Sequence, residues 1–242
     1  MERHHFSSIH FLIFSILFVL LSGCSVLAPP YVASAFGEKK VYALVTVVSP
    51  KDVEGGETST LRGTFSDAKY YYSAKPALNA SIHKIEKAMA NHIAYRLYPP
   101  AKLKKHRAYR TIRSDNKPRN AIIPPRYKFV VTDKKLSTLA KKLGVDGVIV
   151  LKVGFGFKFY GNKYFGIAAS GKTNPKILVD MKFIDRDGKV VYQTKGTKIW
   201  SKGVPSNDQG AVPKALNPLL VKAVATTVRT IANRLDTRVK SK

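Results

Sequence analysis

Large apolar side chains occupy every second position of residues 149–159, and valine, glycine and lysine occupy the positions between them. Because successive side chains of a β-strand point to opposite faces, this alternation predicts a long strand with one strongly apolar face. A strand of this kind requires a sheet and a layer that covers its apolar side. The predicted apolar face consists of Ile149, Leu151, Val153, Phe155, Phe157 and Phe159.

The other periodic segments alternate between strand-like and helix-like spacing. Residues 41–48 are apolar and β-branched, which predicts a strand buried on both faces. The order of elements predicts a single α+β domain, a mixed β-sheet with about three packed helices. Helices are predicted at residues 80–97, 133–144 and 217–235, and further strands at residues 127–131, 177–183 and 189–200.

The N-terminus has the pattern of an export signal. Arg3 lies in a short polar segment that precedes an apolar stretch over residues 9–21, which is short for a membrane span. The stretch ends in Leu21-Ser22-Gly23-Cys24, which resembles the bacterial lipobox. By that resemblance, Cys24 is acylated, becomes the first residue after cleavage and anchors the protein in a membrane. It is also the only cysteine, so a disulfide framework is excluded.

A plain secretory signal is the alternative, since the Ala-Ser-Ala of residues 33–35 matches a small-x-small cleavage pattern. That site lies twelve residues beyond the apolar stretch, which favours the lipobox. Ser25 stands where an aspartate would resemble an inner-membrane retention signal, so the implied location is the outer membrane, facing the periplasm. The predicted organisation is a lipoprotein signal peptide at 1–23, an acylated tether at 24–40 and one domain at 41–242.

The charge balance is strongly positive, with 42 Lys and Arg against 15 Asp and Glu, a formal net charge of +27. Such an excess first suggests nucleic acid as a partner. An exported lipoprotein rarely meets DNA, so the export signal argues against that partner. The remaining polyanions are anionic lipid headgroups, the phosphates of lipopolysaccharide and the carboxylates of peptidoglycan.

Positive charge is concentrated in residues 96–128, and a basic insertion is predicted around residues 98–128. Asp115 is the only acid in this stretch, and tyrosines are interleaved with the basic residues. Guanidinium groups grip oxygen anions in pairs of hydrogen bonds, which suits a headgroup or sugar–phosphate surface. The alternative is a solvated, partly disordered loop. The predicted anion-binding or membrane-binding residues are Lys102, Lys104, Lys105, Arg107, Arg110, Arg113, Lys117 and Arg119.

A second feature is the glycine-rich and aromatic stretch at residues 154–171. One interpretation is a hairpin that inserts into a membrane or contacts another subunit. The other, which we favour, is a curved core strand in which glycines permit a bend. Lys158 and Lys163 are unsuited to contact with lipid tails, and one hairpin is a weak indication of a barrel.

The segment 136–153 passes from a helix through Lys142-Leu143-Gly144-Val145-Asp146-Gly147 into a buried strand. This order, followed by the hairpin at residues 185–191 and a closing amphipathic helix, resembles periplasmic lipoproteins related to the curli-secretion channel subunit, the penicillin-binding-protein activator LpoB and the N-terminal domain of TolB. The resemblance covers residues 136–235 and implies an α+β fold and a role in the cell envelope. The short tether and the segment 98–128 depart from that pattern.

Catalytic and metal-binding patterns are not evident in the sequence. His83 and His92 are nine residues apart and fall on nearly opposite faces of one helix, and Asp185 and Asp187 are typical of a turn. We therefore expect no enzyme activity, no metal and no cofactor. The predicted function is an outer-membrane lipoprotein whose cationic domain binds or scaffolds an anionic envelope component or a protein partner. The alternative is a subunit of an oligomeric export or secretion assembly.

Overall fold

Seven strands form one mixed sheet in the computed structural model, which describes residues 30–53, 73–90, 92–164, 167–206 and 213–241. They are β1 (Val41–Pro50), β2 (Arg96–Leu97), β3 (Ala121–Ile122), β4 (Gly147–Tyr164), β5 (Ile167–Asp185), β6 (Val190–Ile199) and β7 (Val204–Ser206). Neighbouring strands follow the order β2-β1-β4-β5-β6, while β3 pairs with β1 and β7 pairs with β5. β1 is parallel to β2 and β4, and the other pairs are antiparallel.

Helices cover both faces of this sheet. They are α1 (Lys75–Ala90), α2 (Pro100–Lys105), α3 (Arg107–Thr111), α4 (Asp133–Leu143) and α5 (Pro213–Lys240). α1 and α5 pack on one face, where the larger core lies, and α2, α3 and α4 pack on the other. The described residues therefore form a single α+β domain, and the predicted fold class, including its three longer helices, is confirmed.

The central strand β1 shows why a continuous apolar run was needed. Leu44 and Val47 face the core under α1 and α5, whereas Ala43 and Val45 face the core under α2, α3 and α4. A strand that is covered on both sides cannot alternate with polar residues, because either face would then bury unpaired polar groups. The sequence of β1 follows from its place between two helical layers.

The helix predicted at residues 80–97 is displaced in the structure and is shorter. α1 begins at Lys75, whose N–H lies 3.3 Å from Ser73 Oγ, and ends at Ala90. Beyond the end of the helix, His92 Nε2 lies 2.9 Å from the carbonyl oxygen of Ala88. Further on, β2 pairs with the start of β1, so Arg96 and Leu97 lie in a strand and not in the predicted helix.

The strand predicted at residues 127–131 has no ladder in the structure. The chain there is extended, but its backbone groups bond to a side chain of β1 instead of to a strand. Thr46 Oγ1 lies 3.0 Å from the carbonyl of Lys128 and 2.8 Å from that of Val130, and it accepts the N–H of Val130 at 3.0 Å. A buried threonine hydroxyl thus takes the place of a neighbouring strand.

The second half of the predicted tether lies against the domain. Tyr31 forms a bridge with Tyr192 of β6, and the N–H of Val32 donates to the carbonyl of Val191 at 2.9 Å. Phe36 is buried and stacks on Tyr42 at the start of β1. Residues 24–29 of the tether, like the signal segment 1–23, lie outside the described residues.

Candidate functional site

The basic segment, residues 96–128, is folded onto the sheet by a few apolar and aromatic side chains. Leu103 of α2 and Tyr109 of α3 are buried in the smaller core, on the face of the sheet that α4 also covers. Tyr109 Oη donates to the carbonyl of Val45 at 3.0 Å and accepts the N–H of Lys128 at 3.1 Å. Burial raises the pKa of Tyr109, and the bond from Lys128 opposes that rise only in part. The segment is therefore a fixed surface and not a loose loop.

A second anchor is an ion pair that links α2 to α1, although the two helices pack on opposite faces of the sheet. Glu86 Oε1 of α1 lies 2.5 Å from Lys104 Nζ and accepts a hydrogen bond from Tyr127 Oη at 2.8 Å. The Lys104 ammonium also lies 4.7 Å from the centroid of the Tyr127 ring. Burial raises the pKa of Tyr127, and the neighbouring Glu86 carboxylate raises it further. Lys104 is thus half-buried and already paired, so its charge holds the segment in place.

The one acid of the segment fixes its position relative to α4. Asp115 Oδ1 lies 2.5 Å from Lys135 Nζ, and Oδ2 accepts the N–H groups of Val131 and Thr132, each at 2.8 Å. Burial by itself raises the pKa of Asp115, but the bonds from Lys135, Val131 and Thr132 outweigh it and hold the pKa well below its usual value. The partners of this carboxylate are Lys135 and two backbone N–H groups, so it does not neutralise the exposed cations.

Lys128 and Lys117 are also engaged with the backbone. Lys128 Nζ donates to the carbonyls of Arg110 at 2.5 Å and Ile112 at 2.7 Å, and burial lowers the pKa of Lys128. Lys117 Nζ donates to the carbonyl of Ala121 at 3.2 Å, although the residue is exposed. Lys128 thus bonds to two carbonyl groups at the end of α3, and Lys117 bonds to one in β3.

Seven of the eight predicted residues are exposed, and the side chains of all of these except Lys117 form no ion pair or hydrogen bond with the residues that the structure describes. Because residues three apart share a face of a helix, α2 presents two of them together and α3 presents two more. We call this set the basic surface: Lys102, Lys105, Arg107, Arg110, Arg113 and Arg119.

The residues that position the basic surface lie mostly outside it. Thr46, Glu86 and Lys135 come from β1, α1 and α4, and each bonds to the segment as described above. A pattern within residues 96–128 gives no sign of these distant partners. The interleaved tyrosines were the available signal, since a tyrosine among cations is often buried with its hydroxyl bonded.

The aromatic stretch at residues 154–171 divides into two parts. Phe155 is buried in the main core, as a core strand requires. The β4–β5 ladder then continues to Tyr164↔Ile167, beyond Val48↔Lys152, where β1 stops pairing with β4. Tyr160, on this outer part, is 47% exposed and lies under the Lys158 ammonium at 5.2 Å from its ring centroid. The favoured interpretation as a core strand thus describes the inner part alone.

The two histidines considered in the sequence, His83 and His92, lie in different environments. His83 is exposed. The His92 ring is buried between α1 and α5, with Nδ1 2.8 Å from Asp236 Oδ2. Within the described ranges no three His, Cys, Asp or Glu side chains form a group that could hold a metal ion. Within the same ranges no helix has the length and apolar character that crossing a membrane requires.

No protein-family model matches the chain, and no curated protein matches it in sequence. Among solved structures it is similar to lipoprotein GNA1162 from Neisseria meningitidis, with a TM-score of 0.28 and 14% identity over 79% of this chain and 99% of that one. It is also similar to a putative neuraminyllactose-binding hemagglutinin homolog from Helicobacter pylori, with a TM-score of 0.30 and 7% identity over 84% and 86% of the two chains. Likenesses this distant carry no inference about function.

Proposed function

We propose that this chain is a non-enzymatic lipoprotein of the bacterial outer membrane, anchored through acylated Cys24 and facing the periplasm, whose basic surface binds an anionic component of the envelope. The observation that carries the proposal is a set of six exposed cations on a rigid frame, free of ion pairs with the described residues. Several such charges held in place bind a polyanion better than the same charges on a flexible loop, because less conformational entropy is lost.

Peptidoglycan is the anion that best fits the placement of the basic surface. α2 and α3 lie beside β1, on the face of the sheet opposite to α5. The chain leads toward Cys24 from Tyr31, which pairs with β6. β6 is the third strand from β1 in the sheet, which places it about 14 Å from β1. A surface directed away from the attachment point favours a ligand in the periplasm over the anchoring membrane, and its arginines match carboxylates in bidentate geometry.

Cosedimentation with purified peptidoglycan tests this proposal. The double substitution Arg107→Gln/Arg110→Gln removes two charges from α3, and we expect the apparent affinity to fall about fivefold, since each exposed ionic contact is worth about 0.5 kcal/mol. Lys222→Gln/Arg229→Gln on the exposed side of α5 is the matched control with the same loss of charge. Equal losses in both variants would mean that binding follows net charge and not the basic surface.

Anchoring is tested separately by fractionation of cells. Mass spectrometry of the N-terminal peptide is expected to show acyl chains on Cys24, and Cys24→Ala is expected to leave the outer-membrane fraction. Acyl chains give stable anchoring because each buried methylene contributes about 0.8 kcal/mol. A Cys24→Ala protein that still fractionates with the outer membrane contradicts the anchor.

A second candidate function, a subunit of an oligomeric export or secretion assembly, is favoured by the outer part of the β4–β5 hairpin. β4 continues there past its pairing with β1, which leaves its outer edge without a strand partner among the described residues, and it carries the exposed Tyr160 as a contact for another subunit. Mass measurement of the detergent-solubilised protein decides between the two: a ring-sized oligomer supports the second candidate, and a monomer supports the first.

A further inference from the structure

A cationic depression lies between β6 and the C-terminal half of α5, far from the basic surface. Its volume is about 480 Å³. Three of the six side chains that line it are basic, two are threonines and one is a tyrosine, so the lining is positively charged and carries hydroxyl groups. The lining residues are Tyr192, Thr194 and Lys195 from β6 and Arg234, Thr237 and Arg238 from α5.

Neutral groups hold the two guanidinium groups of this depression in place. The Arg238 guanidinium lies 5.7 Å from the ring centroid of Tyr31 and 5.6 Å from that of Tyr192. Arg234 Nη1 donates to the carbonyl of Lys195 at 3.2 Å. Both arginines are thus oriented without using a carboxylate, and their charge stays available for an anion.

Few carboxylates lie near these cations. Asp180 Oδ2 is 3.6 Å from Lys195 Nζ, a lysine whose side chain is 70% exposed. Asp236 of α5 points inward, where it bonds to His92 and to the N–H of Ala94. Basic residues near a helix C-terminus often only complement the helix dipole. Arg234 does not have this role, because its side chain bonds to β6 and the residue lies before the last turn of α5.

The depression adjoins the place where the chain leads toward Cys24. Tyr31, whose ring lies under Arg238, also donates from Oη to the carbonyl of Arg238 at 3.2 Å. Only six residue steps separate Cys24 from Pro30, and fully extended they span about 20 Å. The headgroup layer on each side of a bilayer is itself about 6 Å thick. An acylated Cys24 therefore keeps this edge of the domain close to lipid phosphates.

We infer that the depression binds the phosphate of an anionic glycerophospholipid in the membrane that holds Cys24. This inference rests on the acylation proposed above. Arg234 and Arg238 bind phosphate oxygens, Lys195 adds a point charge, and the domain is held with the β6–α5 edge at the membrane. In that orientation the basic surface faces away from the membrane that anchors the chain.

The test uses the acylated protein in nanodiscs that contain phosphatidylglycerol and a lipid with a nitroxide on its headgroup. Since Cys24 is the only cysteine and is blocked by acylation, Asn233→Cys provides a single free thiol for a fluorophore beside Arg234. Lys172→Cys provides the matched site on the β4–β5 hairpin. We expect strong quenching at residue 233 and little at residue 172. Equal quenching at both sites would overturn the inferred orientation.

A pair of charge variants then tests the depression itself. In the Asn233→Cys background, Lys195→Gln/Arg234→Gln is expected to lower the ratio of docked to undocked domain about twenty-fivefold, because each basic group near an anionic surface contributes about fivefold. Lys134→Gln/Lys142→Gln on the exposed side of α4, which packs on the opposite face of the sheet, removes the same charge and is expected to leave quenching unchanged. If the first pair has no effect while mass spectrometry confirms acylated Cys24, the headgroup site is wrong and the anchor stands.

Inorganic phosphate distinguishes a lipid headgroup from a free anion. At constant ionic strength, low-millimolar phosphate is expected to leave the quenching at residue 233 unchanged, because the tethered headgroup is present at a far higher effective concentration. Release of the quenching by phosphate, with sulfate as the control anion, would overturn the headgroup assignment in favour of a soluble phosphate.

Discussion

A few side chains decide which cations of this protein are free. Lys104, Lys128 and Lys135 bond to Glu86, to backbone carbonyls and to Asp115. Charge counted along the chain treats these lysines like their exposed neighbours, although their ammonium groups already have partners. The distinction is one of geometry, because a hydrogen bond to a carbonyl or carboxylate requires the acceptor to lie at a definite place.

Tyr109→Phe tests the anchor under the basic surface. The substitution leaves the carbonyl of Val45 and the N–H of Lys128 without their partner in a buried place, so we expect the free energy of unfolding to fall by about 1–3 kcal/mol. Urea denaturation measures it. Tyr98→Phe is the control, because the Tyr98 hydroxyl has no hydrogen bond to a described residue; losses of equal size would contradict the role given to Tyr109.

Asp115→Asn tests the link between the segment and α4, and it carries a pH dependence. The pKa of Asp115 is lower in the folded state than its usual value of 3.8, so the ionised group stabilises the fold above that value and this contribution is lost as the pH falls through the folded-state pKa. We expect the variant to be about 1–2 kcal/mol less stable than the wild type at pH 7, with the difference shrinking at pH 3. A difference that does not change between these two pH values would contradict the assignment.

At the scale of elements, the sequence was most informative where a strand or helix buries a regular face. The strand at residues 147–160 and the last helix appear in the structure, because their spacing matches the layers that cover them. Residues 127–131 formed no strand, since the side chains of Thr46, Tyr109 and Asp115 bond to their backbone groups. Thr46 is 84 residues from Val130 in the chain and leaves no mark on the local pattern, and the anchors of the basic surface were hidden for the same reason.

Gly147→Ala tests the close approach of β4 to its neighbours. A Cβ atom at this position would overlap the carbonyl oxygen of Ile184 and the ring of Tyr42, and the backbone oxygen cannot move without breaking the β4–β5 ladder. We expect a loss of about 2–3 kcal/mol in the free energy of unfolding. Gly154→Ala, which meets the Leu178 side chain at 3.2 Å, is expected to cost less, and the reverse order would contradict this packing.

At the scale of the whole molecule, the two cationic regions lie on opposite sides of the sheet. The basic surface lies on α2 and α3 beside β1, and the depression lies between β6 and α5. With a net charge of +27, the chain could attract any polyanion at long range. In the proposed arrangement the two regions bind different anions, the depression a lipid phosphate and the basic surface the peptidoglycan, and the protein links one layer of the envelope to the next.

The most direct test of the central claim is the salt dependence of peptidoglycan binding by the full-length protein. If the exposed cations of the basic surface carry the interaction, the bound fraction falls steeply between about 0.05 and 0.5 M salt, because screening weakens contacts between solvent-exposed charges. The Arg107→Gln/Arg110→Gln protein is expected to release at lower salt than the wild type. Binding that does not change across this range would contradict the account.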